Sequence, residues 1–200
     1  MTDIPHVLLA AGTSRRMGEP KQLLKWGNKS LIQYQVETIL STTDKVYIIL
    51  GAYAERIQPL LKNYNVELIQ FNQWEKGMGD SLAYGIQQIC KSNPNIDGFL
   101  ISLIDQPLVS TIHYSAMRAR FEKGKNQIIA SESDSGWVGV PVLFDAYYSA
   151  QLQSLSGEEG AKVILKKNRA NTIAINARDT LVHMDTQDVY QKLVEEFCPQ

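Results

Sequence analysis

Residues 9–21 read Leu9-Ala10-Ala11-Gly12-Thr13-Ser14-Arg15-Arg16-Met17-Gly18-Glu19-Pro20-Lys21, and they continue an apolar run, HVLLAA, at 6–11. A short apolar run that ends at small residues is typical of a buried strand that opens into a loop. Small residues at 10–12 let a ligand approach the backbone closely, and successive N–H groups in a tight turn can bind phosphate. Cations follow at 15, 16 and 21, and both Arg and Lys bind phosphate. The segment therefore predicts a phosphate-binding loop; a solvated basic turn is the alternative.

This loop differs from two common nucleotide-binding motifs. Gly12 and Gly18 are six positions apart and Lys21 lies three positions beyond Gly18. That spacing does not fit GxxxxGK[ST], and the loop does not contain GxGxxG, so neither a P-loop nor a dinucleotide-binding fingerprint is indicated.

Along the rest of the chain, apolar runs of strand length alternate with segments whose apolar residues recur at helical spacing. We predict helices at 31–40, 54–61, 80–90, 112–121, 158–167 and 188–197, and strands at 6–11, 45–50, 66–71, 98–104, 127–130, 139–144, 171–175 and 181–184. The βα alternation over the first two-thirds predicts a parallel sheet between helices, and the changed rhythm beyond residue 135 predicts a mixed sheet. We expect one α/β domain over residues 1–200, with ligands bound beyond the carboxyl ends of the strands.

Composition excludes several classes of protein. Of the 200 residues 44% are hydrophobic and 20% charged, which is typical of a globular chain and not of a disordered one. Lys and Arg number 20 against 21 Asp and Glu, so binding to nucleic acid or to an anionic membrane is not expected. Cys90 and Cys198 form no CxxC pair and indicate neither a disulfide framework nor a zinc site. No signal peptide or membrane span is visible, and we expect a cytoplasmic protein.

The loop resembles LAAGxSxRMGxxKxLL, the signature of the MobA-like nucleotidyltransferases. Further segments resemble motifs of that family, in its order: NQWEKGMGDSL at 72–82, DQP at 105–107, GVPVLF at 139–144, GEEGAKVIL at 157–165 and DTQD at 185–188. Within the family the chain is most similar to the molybdenum cofactor cytidylyltransferases. The resemblance implies a Rossmann-like three-layer sandwich of the nucleotide-diphospho-sugar transferase type. It also implies an enzyme that joins CTP to the pterin phosphate and releases pyrophosphate.

The same resemblance implies roles for individual residues. Lys21, Arg16 and Asp105 are the expected catalytic residues, with Lys21 and Arg16 on the phosphates. Asp105 and Asp185 are expected to meet at one Mg²⁺ ion, a hard cation that prefers carboxylates. The residues expected to bind the nucleotide are Leu9, Ala10, Ala11, Gly12, Arg16, Lys21, Gly77, Met78 and Ser81. The AAG at 10–12 implies CTP, because guanylyl-transferring relatives more often carry a second glycine.

Several of these residues also have purely structural interpretations. Asp185 can be the N-terminal cap of the following helix, with Asp188 as its capping-box partner. Arg15 is expected to face solvent. The three histidines, His6, His113 and His183, are expected to be structural or at the surface. Trp26 is expected to pack, whereas Trp74 or Trp137 could cover the pterin.

The acceptor is less well defined than the nucleotide, because the chain departs from the family's motifs there. Ile104 replaces a small residue before Asp105, Val140 replaces the histidine of GHPVLF, and Lys162 replaces an arginine. Another small phosphomonoester, such as a polyol phosphate, is therefore an alternative acceptor. A non-catalytic carrier that passes the cofactor to a molybdenum hydroxylase is a third possibility, against which the presence of Lys21, Asp105 and Asp185 argues.

Overall fold

The computed structural model describes residues 2–198. Its strands are β1 (His6–Ala10), β2 (Lys25–Trp26), β3 (Lys29–Ser30), β4 (Val46–Leu50), β5 (Glu67–Gln70), β6 (Gly98–Leu103), β7 (Ile128–Glu132), β8 (Val138–Asp145) and β9 (Thr172–Asn176). Its α-helices are α1 (Leu31–Leu40), α2 (Ala54–Leu61), α3 (Met78–Ser92), α4 (Thr111–Arg120), α5 (Ser149–Gln153), α6 (Lys162–Lys167) and α7 (Gln187–Phe197).

Seven of these strands form one sheet, in the order β5-β4-β1-β6-β8-β7-β9. The pairs β5–β4, β4–β1, β1–β6 and β7–β9 are parallel, and β8 is antiparallel to both of its neighbours. β2 and β3 form a separate two-stranded hairpin. The predicted α/β fold with a mostly parallel mixed sheet is confirmed, and the antiparallel β8 explains the changed rhythm beyond residue 135.

Helices cover both faces of the sheet, so the core has two halves. Consecutive side chains of a strand point to opposite faces, and β1 follows this rule. Leu8 packs into the cluster that includes residues of α1, α2, α4 and α7, whereas Val7 and Leu9 pack into the cluster with residues of α3 and α6. A strand that is buried on both sides reads as a continuous apolar run, which is why β1 and β6 were recognisable.

Two predicted elements are wrong. Residues 181–184 do not form a strand; instead the Met184 N–H donates to the Asp105 carbonyl at 2.8 Å. The helix predicted at 158–167 begins only at Lys162, because residues 157–160 are held in a turn over the start of α3. By contrast α1 has the predicted bounds, and the Ser30 N–H donates to Gln33 Oε1 at 3.1 Å to cap it.

The parallel pairing of β1 and β6 positions the site. Leu9 pairs with Leu103, and the Ile104 N–H donates to the Leu9 carbonyl at 3.2 Å. The loop after Ala10 and the residue Asp105 therefore leave the sheet side by side at its carboxyl edge. Among residues 2–198 no helix has the length and apolar character that crossing a membrane requires. Cys90 and Cys198 are both free, as predicted.

Candidate functional site

A cavity of about 450 Å³ opens at this edge of the sheet. That volume is within the usual range for a small-molecule site. All the residues predicted to bind the nucleotide except Ala10 line it, together with Asp105 and Asp185. The remaining lining residues are Thr13, Ser14, Arg15, Met17, Gln22, Trp74, Glu75, Leu103, Ile104 and Glu158.

The loop at residues 9–21, which we call the signature loop, is held by side chains in and beside it. Ser14 has the left-handed backbone conformation, with φ of 54°. Its Oγ accepts the Lys21 N–H at 3.0 Å and so closes the loop. Gln22, which is 1% exposed, donates from Nε2 to the carbonyls of Ala10 and Gly12 at 2.8 and 3.0 Å. Gln22 was missed from sequence, although it directly follows Lys21 in the motif.

Ala10 differs from the role predicted for it. It is buried in the core beneath the cavity, and its carbonyl is bound by Gln22. Ala11 and Gly12 are the residues of the AAG segment that line the cavity. Ala11 packs against Gly51, where a Cβ would lie 2.5 Å from the Ala11 carbonyl oxygen. Glycine at position 51 thus lets the signature loop lie flat against β4.

Lys21, Asp105 and Asp185 form the charged centre of the site. Lys21 Nζ lies 3.3 Å from Asp105 Oδ2 and 3.1 Å from Asp185 Oδ1, and the lysine is 8% exposed. Arg16 Nη2 lies 3.0 Å from Asp185 Oδ2, although 72% of the Arg16 side chain is exposed. Arg15 is exposed, as predicted, although it also lines the cavity, and it forms no salt bridge with the residues at 2–198.

Asp185 reaches this centre because the chain after β9 bends back to the end of β6. The hydrogen bond from the Met184 N–H to the Asp105 carbonyl fixes that approach. The N-terminal cap of α7 is Thr186, whose Oγ1 accepts the Val189 N–H at 3.4 Å. The alternative interpretation of Asp185 as the cap is therefore wrong, and its carboxylate faces the cavity instead. Asp188 is exposed in the first turn of α7.

His183 lies beside the charged centre, with 35% of its side chain exposed, and is not among the residues that line the cavity. Its Nδ1 lies 3.5 Å from Asp105 Oδ1. The carboxylate raises the pKa of His183 above its ordinary value. Burial alone would raise the pKa of Asp105, but His183 and Lys21 outweigh it and hold that pKa below its usual value. Asp105 is therefore a carboxylate at neutral pH.

The other two histidines have structural roles, as predicted. His6 is fully buried and its Nε2 lies 2.8 Å from Ser102 Oγ. His113 Nε2 lies 2.7 Å from Ser131 Oγ. Both contacts are with hydroxyl groups inside the fold, away from the cavity lining.

The N-terminus of α3 forms a second part of the cavity wall, through Gly77, Met78 and Ser81. Gly77 caps this helix with φ of 117°, and a Cβ there would lie 2.4 Å from the Gly157 carbonyl oxygen. The Gly79 N–H donates to that oxygen at 2.8 Å, and Asp80 Oδ2 accepts the Gly157 N–H at 2.6 Å. Ser81 Oγ donates to the Gly77 carbonyl at 3.1 Å. The start of a helix carries partial positive charge, which suits phosphate or another anion.

A second cluster lies on the other side of Asp105, outside the cavity lining. Trp137, 37% exposed, packs edge-on against His183 with ring centroids 5.9 Å apart. A Cβ at Gly139 would lie 2.3 Å from the indole, so glycine there lets the ring lie across β8. Gln106 Nε2 donates to the Val140 carbonyl at 3.0 Å. Val140 therefore takes part in this cluster through its backbone carbonyl.

Trp26, which is 2% exposed, packs in the core as predicted.

Asp105 and Asp185 could supply two of the ligands that a divalent cation needs. Lys21 lies against Asp105 Oδ2 and Asp185 Oδ1, and His183 lies against Asp105 Oδ1, so both carboxylates are charged and directed to one place. No group of three or more His, Cys, Asp or Glu in residues 2–198 is arranged as a metal site. Two carboxylates completed by phosphate oxygens and water are nevertheless a usual ligand set for Mg²⁺.

Comparison with known proteins gives a family match and several relatives. Residues 6–172 match the model of the MobA-like NTP transferase domain. The chain is 29% identical over 198 residues to the purine catabolism protein PucB of Bacillus subtilis, covering 92% of each protein. It is 27% identical over 112 residues to a probable molybdenum cofactor guanylyltransferase of Bacillus cytotoxicus, covering 56% of this chain and 53% of that protein.

Solved structures show the same fold. The crystal structure of Rv0371c from Mycobacterium tuberculosis superposes with a TM-score of 0.85 at 24% identity, covering 98% of both chains. A structure of that protein in complex with manganese superposes with a TM-score of 0.81 at 22% identity, covering 98% of this chain and 100% of the other.

Proposed function

Because this chain belongs to the MobA-like NTP transferase family, we propose that it transfers a cytidylyl group from CTP to molybdenum cofactor and releases pyrophosphate. The observation that carries the proposal is the meeting of Lys21, Asp105 and Asp185 in one cavity. The walls of that cavity are a tight backbone loop and a helix N-terminus, both suited to phosphate. The described chain would then work as one nucleotidyltransferase domain.

In the proposed reaction an acceptor phosphate oxygen attacks the α-phosphorus of CTP, and the bond from that phosphorus to the bridging oxygen of the β-phosphate breaks. The acceptor phosphate is already an anion near neutral pH, so no strong general base is required. The barrier comes from repulsion between two polyanions and from charge on the departing pyrophosphate. Lys21, Arg16 and the N–H groups of the loop and of α3 would stabilise that charge. Orientation of the two substrates would supply the rest.

Asp105 and Asp185 are the residues that would hold Mg²⁺. When bound, such a cation neutralises phosphate charge and polarises the reacting phosphoryl group. The convergence of Asp105 Oδ2 and Asp185 Oδ1 on one point, 3.3 and 3.1 Å from Lys21 Nζ, supports this assignment. The manganese complex of Rv0371c is a precedent for a divalent cation in this fold.

CTP is proposed as the donor because the AAG at 10–12 resembles that of the cytidylyl-transferring relatives, and Ala11 is the alanine of that segment that lines the cavity. A pyrimidine needs less room than a purine, and a base whose polar groups are left unpaired in a buried site costs about 1–3 kcal/mol per group.

We expect CTP to be preferred over GTP by about tenfold or more. Leaving one buried polar group unpaired when the wrong base is bound would produce a ratio of about this size. The measurement is a competition between the two at equal concentration, with molybdenum cofactor and Mg²⁺, in which the dinucleotide product is identified. Ala11→Gly should shift the product towards the guanine dinucleotide. Ala10→Gly is the matched control and should leave the ratio unchanged, because Ala10 faces the core. A guanine dinucleotide as the main wild-type product would overturn the choice of base and leave nucleotidyl transfer standing.

Guanylyl transfer is the second candidate, favoured by the names of several relatives. Glu75 and Glu158 line the cavity, and a carboxylate can accept the paired N–H groups of guanine. The same competition separates the two candidates.

Molybdenum cofactor is proposed as the acceptor because an aromatic ring lies near the charged centre. Trp137 packs against His183, and His183 in turn contacts Asp105. An exposed indole can stack on the flat pyrimidine ring of a pterin, whereas a polyol phosphate has no ring to stack. Ile104, which departs from the family's small residue, is 6% exposed and narrows the cavity beside Asp105.

Trp137→Ala should raise the KM for molybdenum cofactor by about tenfold, because ring stacking on an aromatic side chain contributes roughly 1–3 kcal/mol. The KM for CTP should not change. Trp74→Ala is the contrasting variant and should raise the KM for CTP, since Trp74 lines the nucleotide cavity. Steady-state kinetics with each substrate varied in turn would check both. An effect of Trp137→Ala on CTP alone would contradict the placement of the acceptor.

A non-catalytic carrier that delivers the cofactor to a molybdenum hydroxylase makes a different prediction. Such a protein would bind the cofactor tightly and release no pyrophosphate. A transient contact between the enzyme and that hydroxylase is compatible with catalysis and would be seen as product transfer.

A further inference from the structure

Lys21 is the one buried ionic side chain among the described charged residues of the cavity, and it is held by the two carboxylates proposed to bind the cation. It is 8% exposed, whereas Arg15, Arg16, Glu75 and Glu158 are exposed. Its ammonium group lies between Asp105 Oδ2 and Asp185 Oδ1, at 3.3 and 3.1 Å. Arg16 lies 3.0 Å from Asp185 Oδ2 and His183 lies 3.5 Å from Asp105 Oδ1, so each carboxylate has a second basic partner within the protein besides Lys21.

The ammonium group and a divalent cation cannot use these two oxygens together. Mg²⁺ binds carboxylate oxygens at roughly 2.0–2.1 Å, which places it in the space between them that Nζ occupies. Two positive charges at such a separation also repel strongly in a partly buried site. A cation that enters must therefore displace Lys21 from the carboxylates.

Displacement is unfavourable unless Lys21 gains another anion, because a buried charge that loses its partner is left uncompensated. A bound triphosphate supplies that anion. The backbone of Lys21 is fixed by the hydrogen bond from its N–H to Ser14 Oγ. The side chain can therefore swing from the carboxylates to phosphate oxygens of a nucleotide held by the same loop, without moving the loop.

We propose that Lys21 is an internal counter-ion that keeps divalent cations off Asp105 and Asp185 until a nucleoside triphosphate takes over its ammonium group. Metal and nucleotide then bind as a coupled pair, each raising the affinity for the other by the same factor. This inference rests on the proposed function for the identity of the metal and the nucleotide. Lys21 would then act before the reaction begins, because it lets the metal bind only together with the nucleotide.

The test is Mn²⁺ binding, followed by electron paramagnetic resonance, to wild-type protein and to Lys21→Met without nucleotide. We expect the variant to bind Mn²⁺ about tenfold more tightly or better, within the usual range of coupling between sites. Arg15→Met removes the same charge from the same loop without breaking an ion pair, and should bind Mn²⁺ as the wild type does. Equal or weaker binding by Lys21→Met would overturn the proposal.

A second measurement covers the case in which Lys21→Met folds poorly. Lys21→Arg keeps the positive charge and should still exclude Mn²⁺. The thermal unfolding midpoints of the wild type and of Lys21→Arg, neither of which depends on Lys21→Met folding, should rise only when Mn²⁺ and α,β-methylene CTP are added together. Stabilisation of the wild type by Mn²⁺ alone would contradict the counter-ion role.

These outcomes are separable from those of the proposed function. Pyrophosphate release by the wild type with CTP tests nucleotidyl transfer and does not depend on how Lys21→Met binds metal. If neither protein binds Mn²⁺ with or without nucleotide, the counter-ion role fails together with the metal assignment. If both bind it alike while CTP is turned over, only the counter-ion role fails.

Discussion

Asp105→Ala should reduce kcat by about 10³-fold, because loss of several kcal/mol of transition-state stabilisation is expected when a metal ligand is removed. Asp105 lies at the carboxyl end of β6, its side chain is 18% exposed, and Lys21 and His183 hold it in the charged state. Its carboxylate faces the place where charge would develop on the phosphates. The same change should lower the unfolding midpoint only slightly, since among the described residues this side chain holds no helix or strand in place.

The measurement is kcat at limiting Mg²⁺, with the unfolding midpoint recorded for each protein. Asp105→Asn keeps the shape and removes the charge, so it should lose activity in the same way and remain folded. Asp188→Ala removes an exposed carboxylate from the neighbouring motif and is the matched control, for which we expect near-normal kcat. A folded Asp105→Ala protein with near-normal kcat would refute the assigned role.

Lys21→Ala should lower kcat/KM by about 10²-fold or more, because a cation that faces developing phosphate charge in a water-poor site contributes about 3 kcal/mol. Arg15→Ala should change kcat/KM by a small factor, since an exposed charge contributes less than about 1 kcal/mol. The two residues lie on one loop and carry one charge, but only Lys21 is buried against Asp105 and Asp185.

Steady-state kinetics of the two variants, at equal ionic strength, make the comparison. Equal losses would mean that long-range charge and not position explains the effect, and the assignment of the loop would then be wrong. Lys21→Ala should lose activity even though Lys21→Met is expected to bind Mn²⁺ more tightly. Opposite changes in turnover and in metal affinity are not expected from a variant that simply folds poorly.

The parts of the fold that could be predicted are those in which local pattern and burial agree. β1 and β6 are buried on both faces, so their apolar runs are continuous and their ends are marked by small or acidic residues. Residues 181–184 show a similar apolar pattern but lack a neighbouring strand. Met184 instead bonds a single carbonyl, that of Asp105, from the far end of the chain.

The residues of the site that were predicted are those that lie in recognisable sequence motifs. Lys21, Asp105 and Asp185 are separated widely in sequence and still meet, because β1 and β6 are adjacent and the chain before α7 returns to them. Gln22 and His183 were not recognised, since their roles depend on contacts that no local spacing encodes. Ala10 was assigned to the nucleotide because it lies in the motif, although the alternation of β1 turns it towards the core.

Pyrophosphate release, measured for each of the four nucleoside triphosphates with and without molybdenum cofactor, tests most directly whether this chain is a nucleotidyltransferase that acts on that cofactor. We expect release with CTP only when the cofactor and Mg²⁺ are both present, and its loss in Asp105→Asn. Folded protein that binds the cofactor and releases no pyrophosphate with any of the four nucleotides would contradict the account.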